Sequence, residues 1–424
     1  QVFERIYQPL PVAVESAGLE EALAAPGPEN LGRFFGPGVR AVQIVAVGGA
    51  GKTTLAMQLC RWLLGQGGQP LGRFARLPLW LDQEVADLKE VVDAKLRLLL
   101  EEYAPDAEWR DILLNRGRLC LVADRLSEQP KATQGKVCAF HENWPGGLLV
   151  LTARRPMDLP LPAVHLRPLP LDSLFAITGF IDRRLRSKGG EVELQAQTDI
   201  ANALVQALLA APAGPGKALG ATPLMVELIA DTALLLFKEG KGLEELPNSV
   251  PDIYFSYVRH LLRFQEAGED AAADGAAQAL LDAAYALAIA SVGERFSPQA
   301  FSRNRVMAAQ KGNSVLAEAQ TFAALEKAGL LQSPVQVGND AMYRFLLDPV
   351  AEYLAAFGYA DECGGDRQRW RDLLAKVGER EESKGFRLAL ENIYRAYRDL
   401  KGYPDGVYPD GLESRQPPNP PELI

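Results

Sequence analysis

The chain has 424 residues, 48% hydrophobic and 23% charged, with a formal net charge of −9. That length allows about two to four domains, and the composition is that of globular proteins with sizeable cores. The acidic balance argues against a dedicated nucleic-acid surface, because such domains are usually basic, although it leaves room for a local basic patch.

No apolar run in the sequence approaches the ~18–20 residues of a spanning helix. The best candidate, Leu224 to Phe237, is short and carries Glu227 and Asp231, so no membrane partner is expected. The N-terminus lacks the basic-then-apolar pattern of a signal peptide. Cys60, Cys120, Cys138 and Cys363 are scattered and form no C-x-x-C pair, which suggests neither a zinc site nor a disulfide framework. A reducing, cytoplasmic setting is the expectation. The sequence lacks an initiator Met and ends in a run from Gln416 to Pro421 that is rich in proline. Such a run reads as a semi-rigid linker, so flanking sensor or effector domains are expected outside this sequence.

The elements are read in chain order. Residues 1–40 form a lead-in, extended from Phe3 to Val14 and without an assigned task. From 41 to 170, strand-like and helix-like segments alternate. Val42 to Val47 is a β-branched, continuously apolar run, as buried parallel strands are. Thr53 to Leu64 has helical spacing, and Leu77 to Leu81 is a second strand. Val85 to Tyr103 is helical by the spacing of Leu88, Val91, Val92, Leu96 and Leu99. Leu119 to Ala123, Leu148 to Thr152 and the weaker Ala163 to Leu166 complete the strands. This alternation predicts an α/β fold, with a three-layer parallel sheet.

Helices dominate after Pro170. They are predicted over Leu171 to Arg186, Leu194 to Leu209, Pro223 to Phe237, Ile253 to Phe264, Ala277 to Val292 and Ser314 to Lys327. Gly338-Asn339-Asp340, between two strand-like runs, is a hairpin signal. Helix, helix and hairpin resemble a winged helix. Pro349 to Tyr359 and Arg367 to Leu400 return to helix. The subdivision is 171–248 helical, 249–360 winged-helix-like, 361–415 helical and 416–424 linker.

The chemistry concentrates in Ala46-Val47-Gly48-Gly49-Ala50-Gly51-Lys52-Thr53-Thr54. This fits the phosphate-binding loop G-x-x-x-x-G-K-[ST] at every position but the first, where Ala46 stands. Small residues let successive backbone N–H groups surround phosphate oxygens. The helix that follows points its positive end at the same anion. Lys52 is expected at the β- and γ-phosphates, and Thr53 as a Mg²⁺ ligand. Asp124, at the end of an apolar strand, is the expected second Mg²⁺ partner, and Glu128 the expected base that activates water. Arg154, after Leu148 to Thr152, is placed to stabilise the γ-phosphate charge. The site set is therefore Gly48, Gly49, Ala50, Gly51, Lys52, Thr53 and Thr54 for nucleotide, Thr53 and Asp124 for metal, and Lys52, Asp124, Glu128 and Arg154 for catalysis. The absence of an N-K-x-D guanine motif leans towards ATP and ADP.

Together these residues resemble the NACHT group of signal-transduction (STAND) P-loop ATPases, over about residues 40–360. Asp124-Arg125-Leu126-Ser127-Glu128 is similar to the family's D-G-L-D-E, and Thr152-Ala153-Arg154 to its T-S-R. Ala221-Thr222-Pro223-Leu224 is similar to the N-P-L whose proline approaches the adenine, which adds Pro223 to the nucleotide set. Tyr343-Arg344-Phe345 and Glu352-Tyr353-Leu354-Ala355-Ala356 resemble the winged-helix signature. Three positions depart from the pattern: Ser127 replaces an acid, Arg125 a small residue, and Leu347 the histidine that contacts the ADP β-phosphate. The resemblance implies an ATP/ADP switch in signalling or defence, with slow hydrolysis and self-association on activation. The alternatives are an active AAA-like remodeller and a nucleotide-binding scaffold.

Overall fold

The apolar run ahead of the glycine-rich loop is buried on both faces, and that position organises everything around the loop. The computed structural model describes residues 10–408, apart from 17, 37, 67–69, 82–84, 101–106, 172, 188–193, 211–220, 264–270, 305, 307–318, 338–339 and 379. The start of the extended lead-in, the tip of the hairpin, the start of the helix predicted from Ser314 and the proline-rich end lie outside the described residues. The chain divides into two compact units, one up to Pro170 and one from Leu171.

The first unit is built on a seven-stranded sheet among the described residues. Its strands are β1 (Val12–Ser16), β2 (Leu19–Leu23), β3 (Ala41–Val45), β4 (Leu77–Leu81), β5 (Leu119–Ala123), β6 (Leu148–Ala153) and β7 (Ala163–Pro168). The order is β2-β1-β7-β3-β6-β5-β4. The five strands from β7 to β4 run parallel. Helices α1 (Lys52–Leu63), α2 (Leu88–Leu100), α3 (Ala107–Asn115) and α4 (Lys131–Cys138) belong to this unit.

Side chains alternate across a strand, so each apolar strand feeds two cores. Val42, Ile44, Cys120, Val122 and Val150 pack with Leu55, Leu59 and Leu63 of α1. Leu79, Leu81, Leu121, Leu149 and Leu151 pack with Val92, Leu96, Phe140 and Trp144. Each such side chain contributes about 1.5–3 kcal/mol when fully buried. Burial on both faces is why these strands read as continuous apolar runs.

The lead-in has a structural task that its sequence did not show. β1 pairs antiparallel with β2 and with β7, register Val12 opposite Pro168, and so widens the sheet.

The second unit contains α5 (Leu174–Ser187), α6 (Leu194–Ala210), α7 (Pro223–Lys238), α8 (Val250–Arg263), α9 (Ala271–Val292), α10 (Ala319–Lys327), α11 (Asp348–Cys363), α12 (Arg367–Val377) and α13 (Lys384–Lys401). Strands β8 (Phe301–Ser302), β9 (Val335–Val337) and β10 (Asp340–Tyr343) form a small sheet of order β8-β10-β9, with the hairpin where the sequence placed it. Helix α11 packs against both α9 and α13. Around it Phe357 meets Tyr285, Phe255 and Tyr397 at ring-centroid distances of 5.4, 5.0 and 5.9 Å.

Two expectations change here. The helix predicted from Arg367 to Leu400 is two helices, because Gly378 takes a left-handed φ of +60° and ends α12. The segment Gly275–Arg295 is long and apolar enough to cross a membrane by length and composition, against the expectation that no stretch is. Its alanines escaped a search for large apolar residues. In this fold it is a core helix, with Leu281, Ala284, Leu287 and Ala288 buried.

Candidate nucleotide-binding site

β3 delivers the chain into the loop. Ala46 extends the parallel ladder, its N–H donating to the Ala153 carbonyl at 3.2 Å. Gly49 and Gly51 then adopt φ of +75° and +86°, a region that costs L-residues with a Cβ about 1–2 kcal/mol. A Cβ on Gly51 would also stand 2.8 Å from Leu10 Cδ1. Gly51 caps α1, which opens on Lys52. The first N–H groups of a helix have no intrahelical acceptor, so the loop and first turn form an anion cradle. Lys52 is buried and its Nζ donates to the Val47 carbonyl at 2.9 Å, folded across the loop. Gly48, Ala50 and Thr54 complete the turn and the first helical turn.

β5 ends beside this cradle, although β6 separates it from β3 in the sheet. Thr53 Oγ1 lies 3.1 Å from both carboxylate oxygens of Asp124. A hydroxyl and a carboxylate converging in this way are a hard-oxygen donor set suited to Mg²⁺, so the residues fit the ion. Thr152, fully buried on the intervening β6, donates to Asp124 Oδ1 at 2.5 Å and accepts from the Arg125 N–H at 2.7 Å. Arg125 sits at φ +54°, ψ +36°. This explains in backbone terms why a small residue suits that position.

Glu128 and Arg154 meet directly. Arg154 Nε lies 2.9 Å from Glu128 Oε1, with side chains 12% and 4% exposed. Ser127, where the family pattern has an acid, uses its hydroxyl to accept the Arg154 backbone N–H at 2.9 Å. Gln43, the polar residue inside β3, clamps the next segment: its amide donates to the Met157 carbonyl and accepts from the Met157 N–H, both at 2.9 Å.

The structure thus gathers Lys52, Thr53, Asp124, Glu128 and Arg154 at the C-terminal ends of β3, β5 and β6. Pro223 stands in the second unit at the first turn of α7, where the Thr222 hydroxyl caps by accepting the Met225 N–H at 3.3 Å. Sequence reasoning quoted Thr152 and Ser127 without giving them contacts, and it passed over Gln43. The only signal for Gln43 was an amide in an otherwise apolar strand. Burial pushes the thiols of Cys60 and Cys120 up, Cys120 to about 12, so neither is a thiolate nucleophile at neutral pH.

No protein-family model matches this chain, and no curated protein matches it. Among solved structures it is similar to a signal-transduction ATPase with numerous domains (STAND) from Pyrococcus horikoshii, which has a tetratricopeptide-repeat sensor. The TM-score is 0.37 at 12% identity, covering 88% of this chain and 48% of that one, so this chain spans about half its length. It is also similar to a RuvB variant from Thermotoga maritima, with TM-score 0.31, 14% identity and coverage of 72% and 85%. A third is the Aeropyrum pernix ORC1 protein in complex with DNA, with TM-score 0.33, 11% identity and coverage of 77% and 90%. The fold assignment rests on the chain's own parallel sheet, glycine-rich loop and following helix, which together make a P-loop NTPase fold, followed along the chain by a helical and winged-helix-like part.

Proposed function

We propose that this chain is a cytoplasmic ATP/ADP-binding regulatory switch of the NACHT/STAND class, in which exchange of ADP for ATP opens the molecule and permits self-association, with slow hydrolysis. The observation that carries the reading is the buried Arg154–Glu128 ion pair. It ties the expected base to the expected γ-phosphate sensor, an arrangement suited to restraint rather than to steady turnover.

In this reading the loop N–H groups from Gly48 to Thr54 and the Lys52 ammonium hold the phosphates. Thr53 and Asp124 would hold Mg²⁺, which when bound neutralises phosphate charge. Thr152 keeps the Asp124 carboxylate aimed at that position. Arg154 turns from Glu128 towards a γ-phosphate, and Glu128, released, orients a water. A nucleotide shifts such an equilibrium only by its differential affinity for two states. The Arg154–Glu128 pair supplies one, because only a triphosphate offers Arg154 a competing anion at that place.

The test is the nucleotide present in freshly purified protein, released by denaturation and separated by ion exchange. Retained ADP with turnover far below about 1 s⁻¹, the low end of ordinary enzymes, is the expected result. An empty site with turnover at or above that rate refutes the switch and makes the chain a working ATPase.

A further inference from the structure

The end of the sheet away from the nucleotide loop carries arginines. Arg40, Arg76 and Arg118 each precede a parallel strand: β3, β4 and β5. They therefore share the N-terminal edge, opposite Gly51 and Asp124. With β6 lying between β3 and β5, three strand spacings of about 4.8 Å separate the outer members, so the row spans about 14 Å. Arg73 and Arg116 are sequence neighbours of the same edge.

The row is organised around Phe74, half-buried. The Arg118 guanidinium lies 4.2 Å and that of Arg76 5.4 Å from its ring centroid, and Arg76 Nε donates to the Gly117 carbonyl at 3.1 Å. Arg73, Arg116 and Arg118 are exposed. Among the described residues, Arg73, Arg76, Arg116 and Arg118 form no ion pair. Burial, and then the charge of Arg40, hold the Arg76 cation below its ordinary pKa. Like charges such as those of Arg73, Arg76, Arg116 and Arg118, gathered at one edge with no ion pair among the described residues, repel one another in a way that an anion relieves.

We propose that this arginine row binds the phosphate backbone of nucleic acid without reading its sequence. Charge density favours this partner over an acidic protein. Duplex DNA carries a charge about every 1.7 Å, or roughly eight over the 14 Å row. An extended all-acidic peptide, at about 3.3–3.6 Å per residue, offers only about four. Phe74 is already engaged by two guanidiniums, so contact is with phosphates and not through base stacking. All five positions are arginine, whose planar fork matches phosphate in a bidentate manner. The chain's overall acidity does not oppose this, because the row is local and steering decays within about 10 Å at 0.1 M salt.

The experiment is fluorescence anisotropy of the full chain with a labelled 20-base-pair DNA duplex between 50 and 200 mM salt. Four phosphate contacts, from Arg73, Arg76, Arg116 and Arg118, give a slope of log K against log salt near about −3.6. Arg116→Glu/Arg118→Glu should reduce that slope by about two and weaken binding more than tenfold at 50 mM. Arg73→Ser, a single exposed neutralisation, should reduce it by about one. Binding of a fluorescent ADP stays unchanged in both variants, which shows that they are folded. Three results overturn the proposal: no duplex binding at 50 mM salt, a parental slope in both variants, or equal displacement of the duplex by polyglutamate at matched charge. The last result assigns the row to an acidic protein instead.

Discussion

Replacing Thr152 by valine tests whether the Asp124 carboxylate is held from behind. Valine keeps the shape of threonine and its fit in β6 but lacks the hydroxyl. Two bonds go with that oxygen: the 2.5 Å bond to Asp124 and the 2.7 Å bond from the Arg125 N–H. The first is charge-assisted and contributes about 2 kcal/mol, and the N–H left without its acceptor costs about another 2. The expected loss is therefore about 4 kcal/mol. Thr152→Ser retains the oxygen and loses only a methyl, about 1 kcal/mol. Four of the five tryptophans, Trp62, Trp80, Trp109 and Trp144, lie in the first unit, so guanidinium unfolding followed by tryptophan fluorescence reports on it. With a guanidinium slope of about 4 kcal/mol per molar, the midpoint falls by about 1 M for valine and by a quarter of that for serine. The Mg²⁺-dependent part of fluorescent ADP affinity should fall for valine and persist for serine. A valine midpoint no lower than that of serine refutes the reasoning.

Two further outcomes follow from backbone and packing. Arg125→Gly relieves a left-handed residue worth about 1–2 kcal/mol, offset in part by the extra freedom of unfolded glycine. It should raise the unfolding free energy by about 0.5–1 kcal/mol, since the contact with Asp124 that it deletes is long, at 3.7 Å, and adds little; a lowered midpoint contradicts the assignment. Gly358→Val in α11 places a Cβ 2.7 Å from Ile289 Cδ1 of α9 and should cost about 1–3 kcal/mol by overpacking. Adding Ile289→Ala must then lose less than the two single effects summed, and simple additivity in thermal unfolding sinks that account of the helix pair.

The parts of the fold that were legible were those whose physics is local. β3, β5 and β6 announce themselves because burial on both faces keeps them apolar at all but the hydrogen-bonded Gln43 and Thr152. The loop from Ala46 to Thr54 is legible because phosphate chemistry demands small residues and then Lys-Thr at fixed spacing. β2 was not, because Leu19 to Leu23 is acid-rich and mostly exposed, and its pairing through β1 to β7 spans most of the unit. α4 hid behind Gly135 and a nearly uniform polarity. Thr152 looked like an ordinary strand threonine, since only the fold brings positions 53, 124 and 152 together. The arginine row was invisible for the same reason: its members are spread along the chain until parallel strands align their starts.

The two departures from the family pattern in the first unit, Arg125 and Ser127, can be weighed against that geometry. At Arg125 the backbone is left-handed, so the usual small residue is relief of strain and its replacement costs stability, not chemistry. Ser127 is different. Its hydroxyl accepts the Arg154 N–H, a task that a carboxylate could also perform, but only by adding a second negative charge beside Glu128. With serine there, Glu128 is the sole acid in that turn, and Arg154 pairs with it at 2.9 Å in a nearly dry setting. Removing one partner of a buried pair strands the other charge, at a cost of about 3–5 kcal/mol. Arg154 therefore leaves Glu128 only for an anion of comparable strength at the same place. In the proposed switch, a serine at this position keeps a second carboxylate away from the pair, and release of Glu128 then depends on the anion that Arg154 meets.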